Sequence, residues 1–180
     1  MLKIARILAA LIPPLVMSSH CLACRCNDPG PVRGSYERKG IIVSAKVIRI
    51  DTVAYSETIL ESEVKRTVLD LKDDPGRLAL FTSKSLLKVT VLVTERFKGE
   101  GIPNTITIYT PVLGASCGFR FQLNQEYIIY EGGGLFGSLF FDGGKELKNL
   151  KKPHTYWTHA CTRTRVFDES EAKALRALRE

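Results

Sequence analysis

The sequence lacks the short motifs with which many enzymes bind phosphates, catalytic zinc or an acyl group. It contains no H-E-x-x-H, no G-x-S-x-G, no Walker loop and no G-x-G-x-x-G fingerprint. Because no candidate constellation for catalysis is left, we expect a protein that is not an enzyme and needs no cofactor. An N-x-S/T acceptor for N-glycosylation is absent as well.

The N-terminal apolar run is too short to span a bilayer. Ile7–Met17 has about eleven residues, whereas a membrane-spanning helix needs roughly twenty, and Pro13 and Pro14 interrupt it. Basic residues precede the run and small or polar residues follow it, which is the layout of a signal peptide. We therefore predict that residues 1–23 are removed after Ala23 and that the chain is secreted, or delivered to the periplasm or cell envelope of a bacterium.

Cysteine is scarce, with five in 180 residues, and the predicted cleavage removes Cys21. The even count of four that remains suits an oxidising compartment. Cys24 and Cys26 are too close in sequence to bridge each other without severe strain, so each is expected to reach a distant partner, Cys117 or Cys161. Such bridges would pin the new N-terminus to the body of the protein, although stapling of a modest core is an equally simple reason for them.

The cysteines do not have the spacing of a zinc site. With His154 and His159 they superficially resemble a ligand set, but structural zinc sites favour paired C-x2-4-C knuckles, and secreted thiols usually oxidise. We expect no internal metal, and we expect the two histidines to be surface or strand positions. A lipid anchor on Cys24 stays open as an alternative, because the preceding Leu22-Ala23 partly resembles a bacterial lipobox.

The chain is basic, but its charge is not concentrated. The formal charge of +7 falls to about +5 when Lys3 and Arg6 leave with the signal peptide. The basic residues are spread over many segments and form no motif interleaved with aromatic residues, which favours an ordinary solvated surface. A polyanion, such as a glycosaminoglycan or an anionic envelope polymer, is the functional alternative, and predicted export argues against nucleic acid.

Runs rich in β-branched residues recur between turn signals and predict five strands. They are Ile41–Ile50, Leu87–Glu95, Thr105–Thr110, Glu126–Tyr130 and Thr155–Cys161. A terminal helix should follow from Asp168, with Glu171 three residues later as a capping box and an apolar stripe behind it.

The predicted fold is all-β. Five strands with little helix in one domain over residues 24–180 suggest a five-stranded, OB-like closed barrel, because closure removes exposed strand edges. The C-terminal helix is outside that scheme. The polar segment Asp51–Leu86, between the first two strands, is interpreted as a long protruding hairpin or mobile loop, although a structureless loop of this length would be unusual.

Several segments together resemble the netrin-like module, and within it the N-terminal domain of tissue inhibitors of metalloproteinases. The resemblance covers roughly Cys24 to Arg165 and depends on the order and spacing of its motifs. These are Cys24-Arg25-Cys26, Ile42–Val47, Arg96-Phe97-Lys98-Gly99, Tyr109-Thr110-Pro111 with Cys117-Gly118-Phe119, and the final Cys161.

The resemblance implies an OB-like barrel with the bridges Cys24–Cys117 and Cys26–Cys161. In the inhibitors, the free α-amino group and the carbonyl of the first cysteine chelate the catalytic zinc of a protease. Carried onto this chain, Cys24 would be the chelator of the partner's zinc, and Arg25 would enter the substrate-side pocket. The other cleft residues would be Cys26, Asn27, Asp28 and Pro29 on one side and Ala115 and Ser116 on the other.

Three features depart from the inhibitor pattern. Arg25 stands where the inhibitors have a small or hydroxylated residue, and an apolar pocket would have to desolvate its guanidinium at a cost of several kcal/mol. The third bridge of the inhibitor domain and the separate cysteine-rich C-terminal domain are also missing from this sequence. Two hypotheses result: a secreted metalloendopeptidase inhibitor, and a non-inhibitory netrin-like module that binds a polyanion or another extracellular protein.

Overall fold

The computed structural model describes residue 26 and residues 28–112, 117–132 and 152–179. Six strands, four helices and one 3₁₀ turn occur in this part of the chain. In order they are α1 (Val32–Arg38), β1 (Ile42–Ala54), the 3₁₀ turn (Tyr55–Thr58), α2 (Glu61–Asp70), α3 (Pro75–Thr82), β2 (Lys84–Lys98), β3 (Thr105–Pro111), β4 (Glu126–Tyr130), β5 (Thr155–Trp157), β6 (Arg165–Val166) and α4 (Glu169–Arg179).

The strands form one curled sheet, a half-barrel, in the order β5-β3-β2-β1-β4-β6. Neighbouring strands are antiparallel except β3 and β5, which are parallel. β1 and β2 pair along their whole length, from Ile42 opposite Lys98 to Ala54 opposite Lys84, with four register shifts on the way. Such irregularities increase the local twist and bend a strand, so they allow this long hairpin to curl.

The predicted alternation of side chains is confirmed in the interior of the curled sheet. Val89, Val91 and Val93 all belong to the main apolar cluster, because successive side chains of a strand point to opposite faces. On β1, Val43 is buried in the same cluster, whereas its neighbour Ile42 faces the other way, toward α4. Both faces of this part of β1 are therefore covered.

Of the two interpretations of the segment Asp51–Leu86, the hairpin is confirmed at its ends and the mobile loop is wrong. The ends of the segment extend β1 and β2 as a hairpin, and the connection between them contains α2 and α3. The Asp74 side chain caps α3 by accepting a 3.0 Å hydrogen bond from the Arg77 amide. Phe81 of α3 is completely buried in a second apolar cluster with Leu86 and Trp157, so tertiary packing of scattered apolar residues holds a segment that looks polar in sequence.

The C-terminal helix forms as predicted, but Glu171 does not complete a capping box. Asp168 caps α4 by accepting a 3.1 Å hydrogen bond from the Glu171 amide. The Glu171 carboxylate instead points into the protein, where it is buried. Ala172 and Leu175 pack on the outer face of the sheet.

Two strand features differ from the prediction. The last predicted strand, Thr155–Cys161, is regular only as far as Trp157, and the chain then turns where the Thr162 amide donates a 2.9 Å hydrogen bond to the His159 carbonyl. A short sixth strand, Arg165–Val166, pairs with β4. Helix α1 is also additional, and its Val32 and Tyr36, one helical turn apart, pack beside α4.

Candidate functional site

The described N-terminal residues are attached to the body of the protein by a disulfide bond. Cys26 is bonded to Cys161, with their Cα atoms 4.8 Å apart and 135 residues between them in sequence. This is one of the two bridges that the resemblance implies, and it is confirmed. Cys26 itself remains exposed.

Side chains of helix α1 and of the loop between β5 and β6 hold the backbone that follows, residues 28–31, which we call the N-terminal segment. The Pro29 carbonyl accepts hydrogen bonds from Ser35 Oγ at 3.1 Å and from the Arg38 guanidinium at 3.0 Å. The Gly30 carbonyl accepts one from Arg163. Gly30 adopts a φ of 73°, a conformation that glycine reaches without strain, and its amide donates to Asp28 Oδ1 at 2.9 Å. The segment therefore has a defined path.

Arg163 is itself oriented by the buried Glu171. Its Nε and one Nη each donate to a different oxygen of that carboxylate, both at 3.0 Å. The Tyr130 hydroxyl donates to Glu171 at 2.7 Å, and Arg165 donates at 3.0 Å. Burial lowers the pKa of Arg163, but the hydrogen bond and the charge of Glu171, together with smaller effects of Tyr130, raise it above its usual value. Burial, followed by the Glu171 contact, raises the pKa of Tyr130.

A pocket of about 350 Å³ lies between the N-terminal segment, the end of α1 and the turn after β5. Its charged lining consists of Arg38, Lys39 and Arg163 opposite one carboxylate, Asp28. Burial and then the charge of Arg38 lower the pKa of Lys39, while Glu131 acts in the opposite direction. Burial and then Lys39 lower the pKa of His159. The pocket is therefore polar and has an excess of positive charge.

Cys117, which follows the predicted cleft residues Ala115 and Ser116 in sequence, lies near the Cys26–Cys161 bridge. Cys117 is disulfide-bonded, and its carbonyl accepts a 2.8 Å hydrogen bond from the amide of Ala160, the neighbour of Cys161. Gly118 follows, and a Cβ there would lie 2.0 Å from the Pro111 carbonyl oxygen. The structure thus brings the chain at Cys117 beside the bridge that holds Cys26.

Of the predicted site residues, Cys26, Asp28 and Pro29 are described and lie together at the edge of this pocket. The others, namely Cys24, Arg25, Asn27, Ala115 and Ser116, lie outside the described residues, and so does the Cys24 end of the predicted Cys24–Cys117 bridge.

The described part of the chain contains no cluster of three or more histidine, cysteine, aspartate or glutamate side chains that could hold a metal ion. His159 has a different role there, because its Nδ1 accepts a 3.2 Å hydrogen bond from the Cys161 amide. Among residues 28–112, 117–132 and 152–179, no helix is long and apolar enough to cross a membrane.

No protein-family model matches the sequence, and a search of curated proteins finds no significant match.

Sequence reasoning missed the side chains that fix the N-terminal segment. Ser35 and Arg38 are on a helix that was not predicted, and Arg163 was interpreted as part of a solvated surface. One signal was present in the sequence: Glu171 is four residues before Leu175, so an acidic residue occupies the apolar face of α4. A charge at such a position indicates a buried partner.

Proposed function

We propose that this protein is an exported inhibitor of zinc metalloendopeptidases that acts through the α-amino group and carbonyl oxygen of Cys24. The observation that supports this most directly is the attachment of the N-terminal segment. A disulfide at Cys26, two residues after the predicted chelating residue, and hydrogen bonds from Ser35, Arg38 and Arg163 to the Pro29 and Gly30 carbonyls hold this part of the chain.

Attachment of the chain close to the chelating residue suits this chemistry, because binding costs less when the bound conformation already exists in the free protein. An unfolded terminus would lose conformational freedom on entering a cleft, roughly 1–2 kcal/mol for each backbone residue that becomes ordered. Cys26 and Asp28 are exposed, so the residues that would follow the chelating group into the cleft are accessible.

The amine is suited to binding a metal near neutral pH. An α-amino group has a pKa near 7.7–8.0, so a substantial part of it is neutral at physiological pH and the rest loses its proton readily beside a metal. With the carbonyl oxygen of the same residue it forms a five-membered chelate, and a catalytic zinc site keeps one coordination position open for such a ligand. Arg25 would enter the adjoining pocket, so we infer targets in which that pocket carries a carboxylate.

Two structural features support export and barrel closure as parts of the same proposal. Disulfides are typical of proteins in oxidising compartments, and the bridge at Cys26 is one. For the OB-like barrel, the Gly132 amide just past β4 donates to the Trp157 carbonyl at the end of β5, at 2.7 Å. Thr158 Oγ1 also donates to the Tyr130 carbonyl at 3.3 Å. We propose that these contacts are the seam at which the curled sheet closes.

The test compares two forms of the mature chain that differ only at the N-terminus. One begins at Cys24 and the other has one additional alanine before it, and mass spectrometry first verifies a free amine in each. Both are titrated against a panel of zinc proteases. We expect the first form to inhibit at least one protease and the extension to weaken inhibition by about a hundredfold or more, equivalent to roughly 2.7 kcal/mol.

Equal potency of the two forms would contradict chelation by the amine. An acylated Cys24 in material purified from the native host would contradict it as well, since an amide nitrogen does not bind zinc in this way.

A further inference from the structure

The pocket beside the N-terminal segment contains positive charge that its own residues do not neutralise. In the described part of the chain, neither Arg38 nor Lys39 forms an ion pair, and no hydrogen bond involves the Lys39 ammonium group. Arg163 is different, because Glu171 neutralises it. Two adjacent cations therefore face the cavity opposite Asp28, which is exposed and hydrogen-bonded to the Gly30 amide.

We propose that this pocket binds a carboxylate side chain of the protein that the N-terminal segment engages. This inference depends on the proposed function and specifies the partner further: a target protease would present an acidic side chain near the rim of its cleft. The carboxylate would accept hydrogen bonds from Lys39 and from the donors of Arg38 that the Pro29 carbonyl does not use.

The burial of Lys39 is consistent with such a ligand. The residue is partly buried, and burial followed by the charge of Arg38 lowers its pKa. The charge of Glu131 offsets these two effects only in part. An incoming carboxylate would act in the same direction as Glu131 and favour the charged form of Lys39 further.

The shape of the site favours one acidic side chain over a polymer. A cavity of about 350 Å³ is at the small end of the range for ligand pockets. A polyanion binds along an extended row of cations that neutralise many of its charges, whereas here two cations meet at one concavity. Because the N-terminal segment forms one wall of the pocket, a protein docked on that segment also covers the pocket.

The first arm of the test does not require a protease. The whole mature chain, labelled for NMR, is titrated with an acetylated and amidated tetraglutamate peptide and, separately, with a sulfated heparin disaccharide. We expect the peptide to shift the backbone amides of residues 38–39 and 161–163 in a saturable manner. Lys39→Met should weaken binding about tenfold, since hydrogen bonds to charged groups contribute this much or more, whereas Lys39→Arg should bind within a few-fold of the wild type.

The matched control is Lys46→Met, which removes an exposed lysine of β1 that pairs with Leu92 and Glu126 and does not line the pocket. It should bind the peptide like the wild type. Circular dichroism and Trp157 fluorescence establish that every variant is folded.

The second arm uses a protease that the chain inhibits, and Lys39→Met should raise the inhibition constant by a similar factor. If no protease is inhibited, the proposed function fails while the peptide result still stands. The inference is overturned if the peptide causes no saturable shift at the pocket, if Lys39→Met binds it as well as the wild type does, or if the disaccharide occupies the pocket and the peptide does not displace it.

Discussion

Replacing Glu171 by glutamine should destabilise the protein more than a change at any exposed acidic residue of the same helix. The Glu171 side chain is 3% exposed and the Arg163 side chain 18% exposed. Glutamine keeps the size of the side chain and an acceptor for Tyr130, but it leaves the Arg163 guanidinium without its counter-charge. Removing one partner of a buried ion pair costs about 3–5 kcal/mol.

Because Arg163 retains some contact with water, we expect the free energy of unfolding to fall by about 3 kcal/mol, near the lower end of that range. Arg165 is 50% exposed, so its contact with Glu171 adds at most about 1 kcal/mol. In a domain of this size, 1 kcal/mol corresponds to roughly 2–4 °C, and the expected fall in melting temperature is therefore about 10 °C. The assay is urea unfolding with the disulfides intact, in which Trp157 fluorescence reports the folded fraction.

Glu169→Gln is the matched control. Glu169 lies on the same helix, is 69% exposed and pairs with Arg176, so its loss should cost no more than about 0.5 kcal/mol. A double variant, Arg163→Met with Glu171→Leu, should recover much of the lost stability, because it leaves no buried charge unpaired. Similar unfolding midpoints for Glu171→Gln and Glu169→Gln would refute the reasoning.

Three further predictions concern stability. Replacing both cysteines of the Cys26–Cys161 bridge by serine removes a link across 135 residues. The free energy of unfolding should fall by roughly 5 kcal/mol in the chain-entropy treatment. A urea midpoint that hardly moves would show that the side-chain contacts alone hold the N-terminal segment. Gly118→Ala places a methyl group 2.0 Å from the Pro111 carbonyl oxygen and should cost about 3 kcal/mol or more of stability. Gly76 is on helix α3, and the nearest atom to a Cβ there would be 3.6 Å away, so Gly76→Ala should be neutral or stabilise by up to about 1 kcal/mol. Equal effects of the two variants in thermal unfolding would contradict this. Burial, followed by the charge of Glu57, raises the pKa of Tyr109 to about 12. The contribution of this shift to folding stability is therefore fully present below about pH 10 and is lost as the pH rises toward 12, because the phenol of the unfolded chain ionises first. An unfolding midpoint that stays constant from about pH 10 to 12, with phenolate absorbance appearing before unfolding, would contradict this.

The strands were the most predictable part of the fold, and the reason is local. Val89, Val91 and Val93 alternate with more polar residues, and that pattern alone assigns them to one face. Glu126–Tyr130 is bounded as predicted, because a turn precedes it and glycines follow it. The two helices within Asp51–Leu86 could not be predicted in this way, because they are held by Phe81 and a few other apolar residues that meet the far end of the hairpin only after folding.

The sequence predicted only part of the contacts at the candidate site, because the others join residues that are distant in sequence. Spacing excluded a bridge between the two N-terminal cysteines, and the resemblance supplied the pairing of Cys26 with Cys161 that the structure contains. The contacts of Ser35, Arg38 and Arg163 with the N-terminal segment have no local pattern. Ser35 and Arg38 lie one turn apart on α1, but Arg163 is far from them in sequence, and the three meet only at two backbone carbonyls.

The sequence by itself determined the mainly β architecture, the terminal helix and the attachment of the N-terminus by cysteine, because alternation, capping and thiol count are properties of neighbouring residues and of composition. Only the tertiary structure decided that Glu171 is buried with Arg163, that Lys39 and Arg38 share one cavity, and that the connection after β1 is helical. These features depend on contacts between residues distant in sequence, where burial changes the energy of a charge and packing outweighs local propensity.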